Sequence, residues 1–175
     1  MSQTEVVRRA LIREARPEDD AAIGELLVEA FISQYAKKMP EVIYTDERKR
    51  ALRDVASKRA VASVLVAEVD GEVAGTVALF PPGAPDSQAW MPNAADLRHL
   101  ATAVRYHGQG LSRPLLDAAE ALARKWAVDA VALHVRKGNA GVARMYMQRG
   151  YARAPEGDLV LPTVSLEAYL LRLVD

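Results

Sequence analysis

The stretch Val104–Arg124, VRYHGQGLSRPLLDAAEALAR, restricts the fold more than any other. It sets Gly108 and Gly110 on either side of Gln109, directly ahead of an amphipathic run. From about Gly110 to Ala127 that run carries Leu111, Leu115, Leu116, Ala119, Leu122, Ala123 and Trp126 on one side, the spacing of a helix with one buried face. Pro114 falls in the first turn, where a missing N–H does little harm. Upstream, DLRHLATA (Asp96–Ala103) reads as a strand. The order is therefore strand, glycine turn, helix. The first N–H groups of a helix lack internal partners and carry partial positive charge. Glycines there let a ligand approach the backbone closely, which suits an anion and phosphate above all. Two glycines alone are equally compatible with a tight turn that binds nothing.

Around this centre the chain alternates strand and helix patterns. VVRRALIRE (residues 6–14) reads as a first strand, and PEDDAAIGELLVEAF as a helix with Ile23, Leu26, Leu27, Ala30 and Phe31 on its apolar stripe. The pattern lapses from Ile32 to Pro40, and DERKRALRDVASKRA reads as one second helix with a basic outer face. ASVLVAEVDGEVAGTVALF is a hairpin, with Asp70-Gly71 as a type I′ turn signal. Residues 81–94 read as a loop. AVALHVR (Ala130–Arg136) is a strand, and Asn139 precedes a short helix as its N-cap, with Gly150 just past its end. YARAP and LEAYLLRL close the chain as two more strands. These elements predict an α/β (α+β) domain around a single mixed sheet.

Composition narrows the function. In 175 residues Lys+Arg and Asp+Glu both number 23, so no basic footprint marks a general nucleic-acid binder. No apolar run reaches the length of a membrane span. The first residues lack an apolar h-region, so a cytoplasmic location is the default expectation. The absence of cysteine removes disulfides, thiolate metal sites and Cys nucleophiles. His99, His107 and His134 show no metal-ligand spacing, and no metal is expected.

Two familiar phosphate loops are excluded. No Gly-Lys pair exists for a Walker A loop, and the third glycine of a dinucleotide fingerprint is missing after Gly108-Gln-Gly110. His107-Gly108-Gln109-Gly110-Leu111-Ser112 instead resembles the acyl-CoA pyrophosphate loop of the GNAT N-acetyltransferase superfamily, Q/R-x-x-G-x-G/A. Downstream, Asn139-x-x-Val142-x-x-Met145-Tyr146-x-x-x-Gly150-Tyr151 resembles the second family signature, N-x-x-A-x-x-L-Y-x-x-x-G-F. The two occur in the family's order with one helix and one strand between them. The resemblance covers nearly the whole chain. His107 stands where Arg or Gln is usual, Ser112 where Gly or Ala is usual, and Val104 replaces a common proline.

The resemblance implies a single GNAT domain over 1–175, with a mostly antiparallel sheet of six to seven strands flanked by about four helices. It implies acetyl-CoA as acyl donor and direct attack of a primary amine on the thioester. The backbone of Leu100, Ala101 and Thr102 would pair with the pantetheine arm, residues 107–112 would take the pyrophosphate, and Asn139 would contact the arm. Tyr146 falls on the general-acid tyrosine of the family, although its spacing also suits core packing. Asp96 lies roughly where some members carry a base, and His99, three residues on, is expected on the opposite face by alternation. By analogy with the fold, Phe31, Tyr35, Tyr44 and Trp90 line the acceptor pocket. The expected partner is a small-molecule or peptide amine, with no membrane or nucleic acid, and the chain a monomer or homodimer. A catalytically silent acyl-CoA-binding module is the rival reading, and a toxin-type enzyme acting on aminoacyl-tRNA a third.

Overall fold

The computed structural model describes residues 2–174. In chain order the elements are α1 (Gln3–Arg9), β1 (Leu11–Glu14), α2 (Asp20–Lys38), α3 (Asp46–Arg53), α4 (Val55–Val61), β2 (Ser63–Val69), β3 (Glu72–Phe80), β4 (Ala94–Thr102), α5 (Ser112–Lys125), β5 (Ala130–Arg136), α6 (Ala140–Gln148), β6 (Ala152–Arg153), β7 (Leu159–Leu161) and β8 (Val164–Arg172). Short 3-10 turns precede α2, follow β4 and follow β6. The strands form one sheet in the order β1-β2-β3-β4-β5-β8-β6, with β7 paired to β8. β4 and β5 are parallel; β5–β8, β6–β8, β7–β8 and β1–β2 are antiparallel. This is the single mixed sheet that the pattern of elements predicts, mostly antiparallel as the family resemblance implies.

The chain divides into two compact units, residues 1–78 with 99–119, and residues 79–98 with 120–175. In the first, β2 and the opening of β3 form the hairpin. Asp70 and Gly71 both take positive φ, 52° and 81°, as a type I′ turn requires. Thr76 Oγ1 donates to the Leu65 carbonyl at 2.8 Å, which ties the two strands from within the core. Ile23, Leu27, Val55, Val66 and Leu115 are all fully buried here. Arg13 in β1 holds Asp19 through two hydrogen bonds of 2.7 and 3.0 Å, and Asp19 also accepts from the Arg16 amide. That network fixes the entry into α2, and it holds the Asp19 carboxyl below the usual carboxylate range.

Three elements differ from the sequence reading. The first strand is only Leu11–Glu14, because residues 3–9 are helical. The Ser2 side chain accepts from the Glu5 amide, and Arg8 and Arg9 occupy the last turn, where they favour the negative end of the helix. α2 runs on to Lys38, past the lapse at Ile32, and buries Tyr35. The basic second helix is two helices. Asp54 ends α3 by donating its N–H to the Arg50 and Ala51 carbonyls, and it starts α4 by accepting from the Ser57 amide.

In the second unit β5 is the spine. It pairs with β8 over the whole of Ala130–Arg136 and with β4 over Ala94–Asp96. Ala94, Ala130, Ala132, Ala154 and Leu170 form a core cluster. Its small side chains leave room for Ala89, Trp90 and Met91 of the 81–93 loop to pack on it.

Candidate active site

In the first unit the segment after β4 folds as a sequence of tight turns. His107 turns back and donates from Nε2 to the Thr102 carbonyl at 3.1 Å, so its ring is anchored to the end of the strand. Gly108 and Gly110 both lie in the left-handed region, at φ 75° and 82°. That backbone costs an L-residue about 1–2 kcal/mol, which is the physical reason for glycine at both places. The Gln109 amide donates to Tyr106 and the Arg113 amide to Gly110. The amides of Gly108, Gly110, Leu111 and Ser112 have no backbone partner among the described residues. Leu111 is buried beneath the turn. The loop therefore presents unpaired donors at the start of α5, as an anion cradle does.

Leu100, Ala101 and Thr102 form the end of β4, with Ala101 buried and its neighbours half-buried. Just before them His99 has φ 57°, a left-handed residue inside a strand. The alternation that would set His99 opposite Asp96 is interrupted at His99 itself. Its ring meets Phe31 edge-on at 6.4 Å, and its Nδ1 lies 3.0 Å from the Lys58 ammonium. Tyr35 and Tyr44 pair at 5.7 Å. Three of the four aromatic residues expected at an acceptor pocket thus make ring contacts within this unit, and Trp90 belongs to the other.

In the second unit Asp96 is fully buried on β4. Its Oδ2 accepts from the Gln88 amide and from Arg98 Nε, both at 2.8 Å. Arg98 also donates to the Asp86 carbonyl and lies over the Phe80 ring at 4.9 Å. Asp96 therefore fastens the 81–93 loop to the strand. Burial pushes its carboxyl above the usual range, with Arg98 foremost in opposing that shift. Trp90 packs edge-on to His134 at 5.6 Å and lies flat on Gly157. A Cβ at Gly157 would come within 2.3–2.5 Å of the indole atoms Cδ2, Cε3 and Cε2. Gly157→Ala should therefore push Trp90 off its seat and cost about 1–3 kcal/mol, the range for overpacking a core. Urea denaturation checks the stability, and a red shift of tryptophan emission checks the exposure. An unchanged midpoint with unchanged emission would contradict the packing described.

Tyr146 sits on α6, buried, its ring edge-on to Tyr151 at 5.4 Å. Burial raises its phenol well above the ordinary value, so it stays protonated at neutral pH. Asn139 precedes α6 and is buried, but its side chain makes no cap hydrogen bond. The capping role expected of the side chain is not seen. Its carbonyl accepts from Ala143, and its amide donates to Arg136. Asn139 instead lines an open groove of about 390 Å³ with Arg136, Ala143, Met147 and Tyr169.

The sequence profile of the acetyltransferase (GNAT) family matches residues 21–151, three quarters of the chain. The chain belongs to the GNAT family. The fold agrees with solved GNAT structures at low identity. A GNAT acetyltransferase from Desulfovibrio desulfuricans is 16% identical, with 93% of this chain and 98% of that one covered at a TM-score of 0.72. The PaiA N-acetyltransferase of Thermoplasma acidophilum, solved with coenzyme A, is 19% identical, with 91% and 97% covered at 0.66. The acetyltransferase yncA of Salmonella typhimurium, solved with acetyl-CoA, is 21% identical, with 95% of each chain covered at 0.64. None of the curated proteins matches by sequence.

Among the described residues of this GNAT protein, no cluster of three His, Asp or Glu side chains fits a metal ion, and no helix is long and apolar enough to cross a membrane. The sequence reading missed His134 and Gly157 as partners of Trp90, and Lys58 as the neighbour of His99. A lone glycine after Pro155-Glu156 and a histidine in an alternating strand carry no local signal. Only the fold brings them to those rings.

Proposed function

We propose that this protein is an acetyl-CoA-dependent N-acetyltransferase that moves an acetyl group to a primary amine, with residues 1–175 serving as one domain. The observation that carries the reading is the cradle at Gly108–Ser112, where two left-handed glycines leave four amide donors unpaired at the head of α5. The family profile and the coenzyme A and acetyl-CoA complexes among structural relatives support acetyl-CoA as donor. Those amides would take the pyrophosphate, and the tether of His107 to Thr102 would hold the loop to the strand end. The main chain of Leu100–Thr102 would pair with the pantetheine arm, and Asn139 would contact it from α6. The amine nitrogen then attacks the thioester carbonyl, and the C–S bond breaks. Main-chain donors would stabilise the developing oxyanion. Tyr146 gives its proton to the departing thiolate. The acceptor ammonium, with a pKa near ~10.4 for a lysine-type amine, first loses a proton to Asp96. Its raised pKa brings Asp96 nearer the range a general base needs. Phe31, Tyr35, Tyr44 and Trp90 would serve as the acceptor's apolar surface.

Incubation with acetyl-CoA and a panel of amines, amino acids and peptides, read as free-thiol release, tests the reading. At least one acceptor should release thiol faster than acetyl-CoA hydrolysis alone. No acceptor-dependent release, with acetyl-CoA still bound in calorimetry, would leave a silent acyl-CoA-binding module.

A further inference from the structure

α1 is a short helix that is firmly seated. Val6 is 1% exposed, the Ser2 side chain caps the first turn, and Arg9 is held by Asp70 in the β2–β3 turn and by Glu5. Gln3 stands at the opposite end from Arg9, about 9 Å away along a helix axis. Within the first unit α1 therefore runs from the hairpin turn to the glycine loop. There the Gln3 side chain rests on Gly110. A Cβ at Gly110 would lie 2.6 Å from Gln3 Nε2, 3.0 Å from its Cγ and 3.2 Å from its Cδ. Gly108, in the same turn and at a similar φ of 75°, has open space where its Cβ would be. The two glycines thus do different work. Left-handed backbone asks for glycine at both, and only at Gly110 does another segment of the chain also fill the place of a side chain.

The chemistry of this contact is one-sided. The Gln3 carboxamide makes no hydrogen bond among the described residues, and Nε2, its atom nearest the Gly110 Cβ position, is a donor. The amides of Gly108, Gly110, Leu111 and Ser112 are donors as well, without backbone partners. Donors do not bond to one another, so the arrangement suits a ligand that brings acceptors alone. A diphosphate does so, with several anionic oxygens. Gln3 is exposed, and such a ligand reaches it from solvent. The one carboxylate of α1, Glu5, is turned to Arg9 at 3.9 Å. We propose that Gln3 donates from Nε2 to the diphosphate of acetyl-CoA, and that α1 is a strap completing the cradle from outside the glycine loop. The inference rests on the acyl-CoA reading for the identity of the ligand. It adds a binding residue that the loop motif at 107–112 gives no sign of, because Gln3 and Gly110 meet only through the fold.

Calorimetry on the full chain with CoA and 3′-dephospho-CoA tests this without any acceptor. Gln3→Ala should weaken both by about tenfold, the worth of one hydrogen bond to a charged group. The melting temperature without ligand should hold, since alanine is the best helix former and the position is exposed. Gln3→Glu keeps the length and sets a carboxylate against the diphosphate. It should bind both ligands more weakly than Gln3→Ala does, and added salt should narrow that gap. Equal CoA affinity in the parent and Gln3→Ala overturns the inference. A loss confined to CoA overturns it too, by placing Gln3 at the 3′-phosphate. So does a Gln3→Glu affinity no lower than that of Gln3→Ala, by placing Gln3 against an uncharged part of the ligand. A parent that binds neither ligand sinks the cradle and the acyl-CoA reading with it. A parent that binds both, matched by Gln3→Ala, sinks the strap alone.

Discussion

Tyr146→Phe should lower kcat by about 10²–10⁴-fold, the usual worth of a positioned general acid. The substitution keeps the ring and removes only the hydroxyl. Tyr146 is buried against Tyr151, and phenylalanine retains that edge-on contact, so the melting temperature should change little. Acetyl-CoA affinity should also hold, because the phenol acts only as the thiolate leaves. Burial raises the phenol pKa, so the acid stays protonated across the neutral and mildly alkaline range. Any alkaline fall in the parent's rate below about pH 10 therefore belongs to another group. Packing alone predicts the reverse pattern, with lower stability and nearly normal turnover. Melting temperature, calorimetric affinity and kcat, measured on the same two proteins, separate these outcomes. A stable variant with full kcat removes Tyr146 from the mechanism.

Gly110→Val should weaken acetyl-CoA binding by at least about 10²-fold. Hydrogen bonds to a charged group contribute about 1.5–3 kcal/mol each, and a displaced loop loses more than one of them. The residue stands at φ 82°, where a β-branched side chain is strained. A Cβ there would also lie 2.6 Å from Gln3 Nε2, the end of a flexible side chain of α1 that can move aside. Strain by itself is therefore the effect to control for. Gly71 supplies the control, because it has φ 81° and open space where its Cβ would be. Gly71→Val should carry a comparable backbone penalty in melting temperature and leave acetyl-CoA affinity alone. Equal affinity in folded Gly110→Val and the parent would rule out the pyrophosphate cradle.

Much of the fold was legible from local chemistry. The Asp70-Gly71 turn lies between two β-rich runs, and its geometry needs only the two residues themselves. The same holds for α5. The residues spaced for its buried face include Leu115, Leu116, Ala119 and Ala123, and these are buried. β5 follows the sequence reading residue for residue, because a run of β-formers between turn signals has few alternatives. The glycine turn was also readable. Its conformation follows from what glycine alone tolerates, and its place ahead of α5 follows from the apolar period behind it.

Tertiary structure decided what depends on partners distant in sequence. Residues 3–9 lack a period long enough to separate helix from strand, and burial of Val6 together with the Ser2 cap selects the helix. Tyr35 carries α2 beyond the apparent lapse because Tyr44 pairs with its ring. Asp96 read as a strand-opening carboxylate, but Gln88 and Arg98 make it the anchor of a loop. Trp90, His134 and Gly157 are separated by 44 and 23 residues, and no spacing rule relates them. They meet because β5 sets His134 on the face that the alanines keep shallow, and because Gly157 has no side chain to keep the indole away. Sequence determines the elements, whose hydrogen bonds and apolar periods are local. Which buried polar atoms face one another is fixed only when those elements pair, since strand register sets the face and one residue of slip would reverse it.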